Sequence, residues 1–358
     1  MTHSQIATNM QNKVAIFSDL HLGVHQNNDF WLDVSVEWAD WFISSLDRLG
    51  ITEVIFCGDW MHYRDSVEVK TLFKSSIIIK KFSRFKLHAV PGNHCCYYKN
   101  KSDIHSLSIM SDISHVNVYD TLTSIDVNNK KLVFCPWGTD IKDIPKCDIV
   151  FGHFELQTFR MNAFKICEHG DNPEKLLDKA PLVFSGHFHQ RDEKHFSGKG
   201  DIIYIGNPFQ MDFGDAYSKK GFYILDIEKS EYTFIENTET PKHLRILLSE
   251  LIKSNPTDMF KNDVRNSIIK LVVDKNISNE HLDILVAKFT TYKPTELRID
   301  YDVNYNRLSV PDDNITMMTD GSGMDIVSAL SEFVNILSIE NKAEVIDYVT
   351  SLYTKSIS

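Results

Sequence analysis

Two aspartates, one asparagine and four histidines carry the chemistry that this chain can do. They fall into five short clusters: Asp19-Leu20-His21, Gly58-Asp59, Gly92-Asn93-His94, Gly152-His153 and Gly186-His187-Phe188-His189. The donors they offer are oxygens and imidazole nitrogens without a thiolate. That set suits a divalent first-row ion of intermediate hardness such as manganese better than a structural zinc. Seven donor groups are too many for one ion. Shared between two ions by one bridging carboxylate, they leave room for a water and for two oxygens of a substrate, the arrangement used for in-line attack on phosphorus.

Such groups act together only if the fold gathers them. Each cluster closes an apolar run rich in β-branched and aromatic residues: VAIFSDLHLG, EVIFCGD, LHAVPGNH, DIVFGH and LVFSGHFH. A run of this kind reads as a buried strand, and a polar residue at its carboxyl end lies at the edge where α/β sheets bind ligands. Taken singly, a Gly-Asp or Gly-His pair after a strand reads as a turn, and Asp19-x-His21 or His187-x-His189 as strand residues facing one side. Five such ends in succession point to one crevice.

The order D-x-H, GD, GNH, GH, GHxH resembles the calcineurin-like metallophosphoesterase superfamily, whose fold is a two-sheet αββα sandwich with a dinuclear centre. The runs DLHLG and GDWMH, the later YIGNP and the GFYILD after it resemble the SbcD-type DNA repair nucleases. Within that group, the spacing and the tail are most similar to the recombination endonuclease subunits of T-even-type bacteriophages. The resemblance implies a first metal site of Asp19, His21, Asp59 and His189. It implies a second of Asp59, Asn93, His153 and His187, with Asp59 bridging. The ions implied are two divalent metals per chain, Mn2+ with Mg2+ as the alternative. His94 matches the family's catalytic histidine, which protonates the leaving oxygen, and His62 matches a histidine that positions the phosphodiester. The implied activity is 3′-5′ exonuclease action on duplex ends with endonuclease action on single strands, in DNA double-strand break repair and recombination. The implied partners are DNA, a second copy bound through helices of the nuclease domain, and an SMC-like, SbcC-type ATPase. One departure stands out. The family carries an acid after the GNH histidine, whereas this chain has Cys95 and Cys96, so another acid, Asp65 or Asp103, is looked to for orienting His94, or His94 is a weaker acid.

Composition sets outer limits. A chain of 358 residues with 42% hydrophobic content can fill a large domain and one or two small ones. Its apolar runs are strand-sized, so no membrane partner and a cytoplasmic site (that of the host, for a phage protein) are expected. Six cysteines without C-x-x-C spacing read as reduced core residues. A net charge of −11 argues against a simple DNA-binding module. Yet residues 69–102 hold eight Lys/Arg and no acid. Of these, Lys70, Lys74, Lys80, Lys81, Arg84, Lys99 and Lys101 are candidate DNA contacts, with a merely solvated helix face as the competing reading.

Element and domain boundaries follow from the same signals. Residues 1–12 read as a flexible start and 13–238 as the metallophosphoesterase domain. In it, helices are expected over 30–49 with a Gly50 stop, over 66–85 and over 102–112, and strands through 116–235. Residues 239–303 read as an α+β unit with strands RILLSELI, SIIKLVVD and ELRIDYDV and a helix near 278–290; by resemblance it is a cap that holds DNA. Residues 304–322 read as a linker. In 323–358, Leu330, Val334 and Leu337, then Val345, Val349 and Leu352, recur at helical spacing, which predicts a helical hairpin. Such a hairpin cannot bury both apolar faces alone, and the resemblance makes the ATPase its partner. Competing functions are a phosphomonoesterase with the same centre and a catalytically weak scaffold for the ATPase.

Overall fold

Alternation along the first strands sets the layers. In β1 (Lys13–Phe17), β2 (Glu53–Cys57) and β3 (Lys86–Val90), the residues Ala15, Phe17, Val54, Phe56, Leu87 and Ala89 enter one core. Val14, Ile16, Ile55, Cys57 and Val90 enter another. Parallel strands that are apolar on both faces must be covered on both. In this computed structural model, which describes residues 10–99, 101–162, 165–253, 264–302 and 341–356, α1 (Asp29–Leu49) and α2 (Val69–Lys81) cover the first face with Trp38, Phe42, Leu46 and Ile78. A second sheet covers the other.

The first sheet has the order β12-β11-β1-β2-β3-β4, where β4 is Val116–Val118, β11 is Gly221–Asp226 and β12 is Glu231–Glu236. The strands from β1 to β4 are parallel, and β11 and β12 close the edge antiparallel. The second sheet has the order β5-β6-β7-β8-β10-β9. Its strands are β5 (Thr123–Val127), β6 (Lys130–Cys135), β7 (Ile149–His153), β8 (Leu182–Gly186), β9 (Asp192–Phe196) and β10 (Gly200–Tyr204). Phe134, Phe151, Phe184 and Ile203 meet Ile16 and Ile55 between the sheets. On the outer face, Val133, Val150 and Val183 pack against α3 (Pro173–Leu177) through Leu176 and Leu177. The architecture is an α/β sandwich of two mixed sheets with helices outside.

A third, parallel sheet follows, β13 (Lys242–Leu247), β14 (Ser267–Val273) and β15 (Glu296–Tyr301), with α4 (Leu248–Lys253) and α5 (Asn279–Thr291) packed on it. Residues through Tyr301 make one compact unit and those from Asp302 a second, in which α6 (Lys342–Ser356) is described. No helix of the described residues is long and apolar enough to cross a membrane.

The elements depart from expectation in three places. The stretch read as one strand, RILLSELI, divides after Leu247, because Leu248 and Leu251 are spaced to pack a helix onto the sheet while Ser249 N–H donates to Asp274 at 2.8 Å. The helix expected over 102–112 is only a 3-10 stretch, Ser106–Met110. There the backbone pairs across the segment, Tyr97 N–H to Ile104 carbonyl at 2.9 Å and Ser106 N–H to Cys95 carbonyl at 2.8 Å. The helix expected over 66–85 is shorter, ending at Lys81 before a 3-10 turn. In the tail, α6 carries Val345, Val349 and Leu352, whereas Leu330, Val334, Leu337 and the linker lie outside the described residues.

Candidate metal centre

All seven candidate ligands come from the carboxyl ends of β1, β2, β3, β7 and β8, the central strands of the two sheets. The chain has to turn sharply there. Asp19, His21, Asp59 and His187 all adopt positive φ (54°, 47°, 65° and 94°). Each such residue costs on the order of 1–3 kcal/mol, a strain that gathers at functional sites. Neighbouring glycines make the room: a Cβ on Gly92 would meet the Asp59 carboxylate and the His153 ring, and one on Gly58 would meet His153 and Gly92.

Two sets of donors result. In the first, His21 Nε2 lies 2.9 Å from His189 Nε2, 3.7 Å from Asp59 Oδ2 and 3.9 Å from Asp19 Oδ1. In the second, Asn93 Oδ1 lies 2.8 Å from His153 Nε2 and 3.0 Å from His187 Nδ1, and Asp59 Oδ2 is 3.3 Å from His153 Nε2. An ion bound at about 2.0–2.2 Å from each donor spaces its ligands by about 3–3.5 Å, so both sets fit a first-row cation. Asp59 Oδ2 faces both sets, as a bridging carboxylate must. Its other oxygen accepts the His94 N–H at 2.7 Å.

Outer contacts fix the tautomers that ligation needs. His153 Nδ1–H donates to the Cys57 carbonyl at 2.8 Å, which turns Nε2 toward the donor set. Asp19 accepts the His187 N–H at 3.1 Å, and Lys220 Nζ donates to the His189 carbonyl at 2.7 Å. Burial pushes the Asp19 carboxyl up. It would do the same to Asp59, but the neighbouring His153 holds that carboxyl well below the usual range. His153 is correspondingly pushed up to about 9, against its own burial, chiefly by Asp59. A buried carboxylate that draws a proton onto its neighbour is a site that calls for positive charge. Burial and neighbouring imidazoles lower His21, and lower His187 to about 3 and His62 to about 4, so these rings are neutral with lone pairs free at neutral pH.

His62 and His94 flank this centre. Their rings are stacked 5.4 Å apart at 22°, and each lies edge-on to the His21 ring. The contact that orients His94 is the His62 carbonyl, 2.7 Å from Nδ1, rather than Asp65 or Asp103. Cys95 does not substitute for the acid: its buried sulfur accepts the Trp60 N–H at 3.3 Å, and its thiol is pushed up to about 12 by burial.

Residues 12–191, just over half of the chain, match the calcineurin-like phosphoesterase family. The chain belongs to that family. As a phosphoesterase it is also similar along nearly its whole length to exonuclease subunit 1 of Enterobacteria phage T4, 26% identical over an alignment 362 positions long that covers 96% of this chain and 99% of the relative. Among solved structures it is similar to a dimetal phosphatase from Danio rerio (13% identical, 59% of this chain and 91% of that one, TM-score 0.39). It is also similar to nuclease MPE from Pseudomonas putida (15% identical, 62% and 87%, TM-score 0.28). Family membership implies divalent metal ions, and the donor clusters of this phosphoesterase suit them.

The basic stretch sits differently from what its sequence suggests. Lys74 and Lys81 each lie 2.5 Å from a carboxylate of α1, Asp33 and Asp40, Lys70 is 3.3 Å from Asp29, and Arg84 pairs with Asp47. Lys80, Lys99 and Lys101 are exposed. None of the seven touches the candidate ligands. Two cations that do were missed by sequence reasoning. Arg64 reaches the Asn93 amide at 2.8 Å. Lys220 is buried, 2.6 Å from Asp215, and also bonds Asn207 of the YIGNP run. The only sequence signals are that Arg64 stands two residues beyond His62 and that Lys220 directly precedes GFYILD.

Proposed function

We propose that the chain is a metal-dependent DNA nuclease: a 3′-5′ exonuclease on duplex ends and an endonuclease on single strands, serving as the nuclease subunit of an SMC-like ATPase complex in double-strand break repair and recombination. The observation that carries this reading is Asp59, whose one oxygen faces two donor sets while His62 and His94 stand beside them. Full-length similarity to a phage exonuclease subunit supports DNA as the ester.

Asp19, His21, Asp59 and His189 would hold one ion, and Asp59, Asn93, His153 and His187 the other, with Mn2+ favoured by the mixed oxygen and imidazole donors and Mg2+ the alternative. When bound, the ions lower the pKa of water and offset charge on the phosphoryl oxygens. The protein does the rest. His94, with Nδ1 tied to the His62 carbonyl, presents Nε2 to the leaving sugar oxygen and delivers a proton there. His62 orients the phosphodiester. The α+β unit holds DNA over the centre, exposed Val69, Leu72 and Phe73 on α2 offer a surface for a second copy, and the C-terminal segment takes the ATPase. The complex acts in the cytoplasm.

The competing reading is a phosphomonoesterase with the same centre. Purified protein with manganese, given end-labelled duplex, single-stranded DNA and a chromogenic monoester, separates the two. Stepwise loss of label from 3′ ends is expected; monoester turnover without DNA cleavage overturns the nuclease reading.

A further inference from the structure

The first donor set draws on both sheets. Asp19, His21 and Asp59 follow β1 and β2 of the first sheet, whereas His189 follows β8 of the second and stands three residues past that strand's last paired residue, Gly186. The pairing of β8 does not reach that far, yet His189 Nε2 has to meet His21 Nε2 at 2.9 Å. What holds the His189 backbone is a cluster at its carbonyl. Lys220 Nζ donates to that oxygen at 2.7 Å, and the Asn207 N–H donates to it at 3.3 Å. Gly206, at φ 76°, lets the turn come this close: a Cβ there would meet the same oxygen at 2.9 Å. His187, the second-set ligand on the same turn, is held separately, since it directly follows β8 and its N–H donates to Asp19 at 3.1 Å.

Lys220 is itself anchored on the other sheet. It directly precedes β11, the neighbour of β1, and its carbonyl accepts the Asn237 N–H at 2.7 Å. Its ammonium is buried and all three hydrogens are used: besides the His189 carbonyl it donates to Asp215 Oδ1 at 2.6 Å and to Asn207 Oδ1. The other oxygen of Asp215 accepts from Asn207 Nδ2 at 2.8 Å and from the Met211 N–H at 3.0 Å. A buried ion pair gains little stability over an apolar pair of like volume, because desolvation offsets the attraction. An apolar pair, however, could not hold a carbonyl oxygen. Nor could a lone ammonium stand behind a cation site without repelling the ion, and Asp215 cancels that charge. We propose that the Asp215–Lys220 pair is a positioning device for the first metal site: it ties the His189 backbone to β11, across the two sheets, and so sets the affinity of the ion held by Asp19, His21, Asp59 and His189 without altering that of the other ion. The proposal rests on the division of the donors into those two sets; it holds whichever phosphoester is cleaved.

The test is manganese binding by the full chain, measured by calorimetry on a double variant, Lys220→Met with Asp215→Asn. Lys220→Met alone would strand a buried carboxylate, whereas the double variant keeps the net charge of the cluster at zero and removes the bond to His189. Two backgrounds separate the sites. In His187→Ala the tightest ion is that of the first set, and the double variant should weaken it by about tenfold or more, as loss of an outer contact to a ligand does. In His189→Ala the tightest ion is that of the second set, and its affinity should change by less than about twofold, as for an independent site. Equal weakening in both backgrounds, or none in His187→Ala, overturns the proposal. So does a double variant that fails to fold without metal by circular dichroism, since the pair would then serve the core. If His187→Ala and His189→Ala themselves bind two ions as tightly as the wild type, the donor sets are wrong and the proposal falls with them. DNA cleavage does not enter the readout, so the nuclease reading and this one fail separately.

Discussion

His94 can be removed without disturbing the ligands, because its link to them is made by backbone. Its N–H, which any residue supplies, donates to Asp59, while its ring, among the described residues, hydrogen-bonds the His62 carbonyl alone. His94→Ala should therefore keep both ions and DNA affinity but slow cleavage by on the order of a hundredfold or more. Metal analysis, DNA binding and single-turnover cleavage check this; loss of the ions, or an unchanged rate, would contradict it. The seven candidate ligands were legible because each residue type stands at the end of an apolar run. Arg64 and Lys220 were not legible, since an arginine and a lysine in polar loops look like any solvated cation until tertiary contacts bring them to Asn93 and to the His189 carbonyl.

Elements were legible where periodicity and punctuation agreed. In α1, apolar residues recur at helical spacing, Asn28 caps the start by accepting the Phe30 N–H, and Gly50 ends it at positive φ. The basic stretch was harder, because its partners Asp33, Asp40 and Asp47 lie on α1, far away in sequence. Exposed pairs of this kind contribute about 0–1 kcal/mol and leave the lysines available as much for solubility as for phosphate. At the junction of β13 with the sandwich, the His243 ring stacks on Trp31 at 5.6 Å, and its Nδ1 has no hydrogen-bond partner among the described residues. Burial lowers this imidazole from 6.5 to about 4, against the pull of Asp215 and Asp212. Its folded pKa is depressed, so the unfolded chain takes up the proton first. The stability that His243 contributes is therefore complete above about pH 6.5 and is lost as pH falls towards about 4. His243→Phe should make denaturant midpoints less sensitive to pH across that window; an unchanged slope would show that the ring is not the titrating group.

At the scale of the molecule, the chain divides at Tyr301, and every candidate ligand precedes that point. Removing residues 322–358 should leave a folded, metal-loaded enzyme with its own activity, while association with an SMC-like ATPase is lost. Circular dichroism, metal content and pull-down with the ATPase are the measurements, and unfolding of the truncated protein would assign the tail to the core instead. The central claim, that one carboxylate joins two ions into a phosphodiester-cleaving centre, is tested most directly at Asp59. Manganese per chain and cleavage of end-labelled DNA should be measured in the same preparations of the wild type and Asp59→Asn. The account predicts two ions and cleavage for the wild type, and loss of both ions together with loss of cleavage for the variant. Two tightly held ions in Asp59→Asn, or cleavage that persists without them, would contradict it.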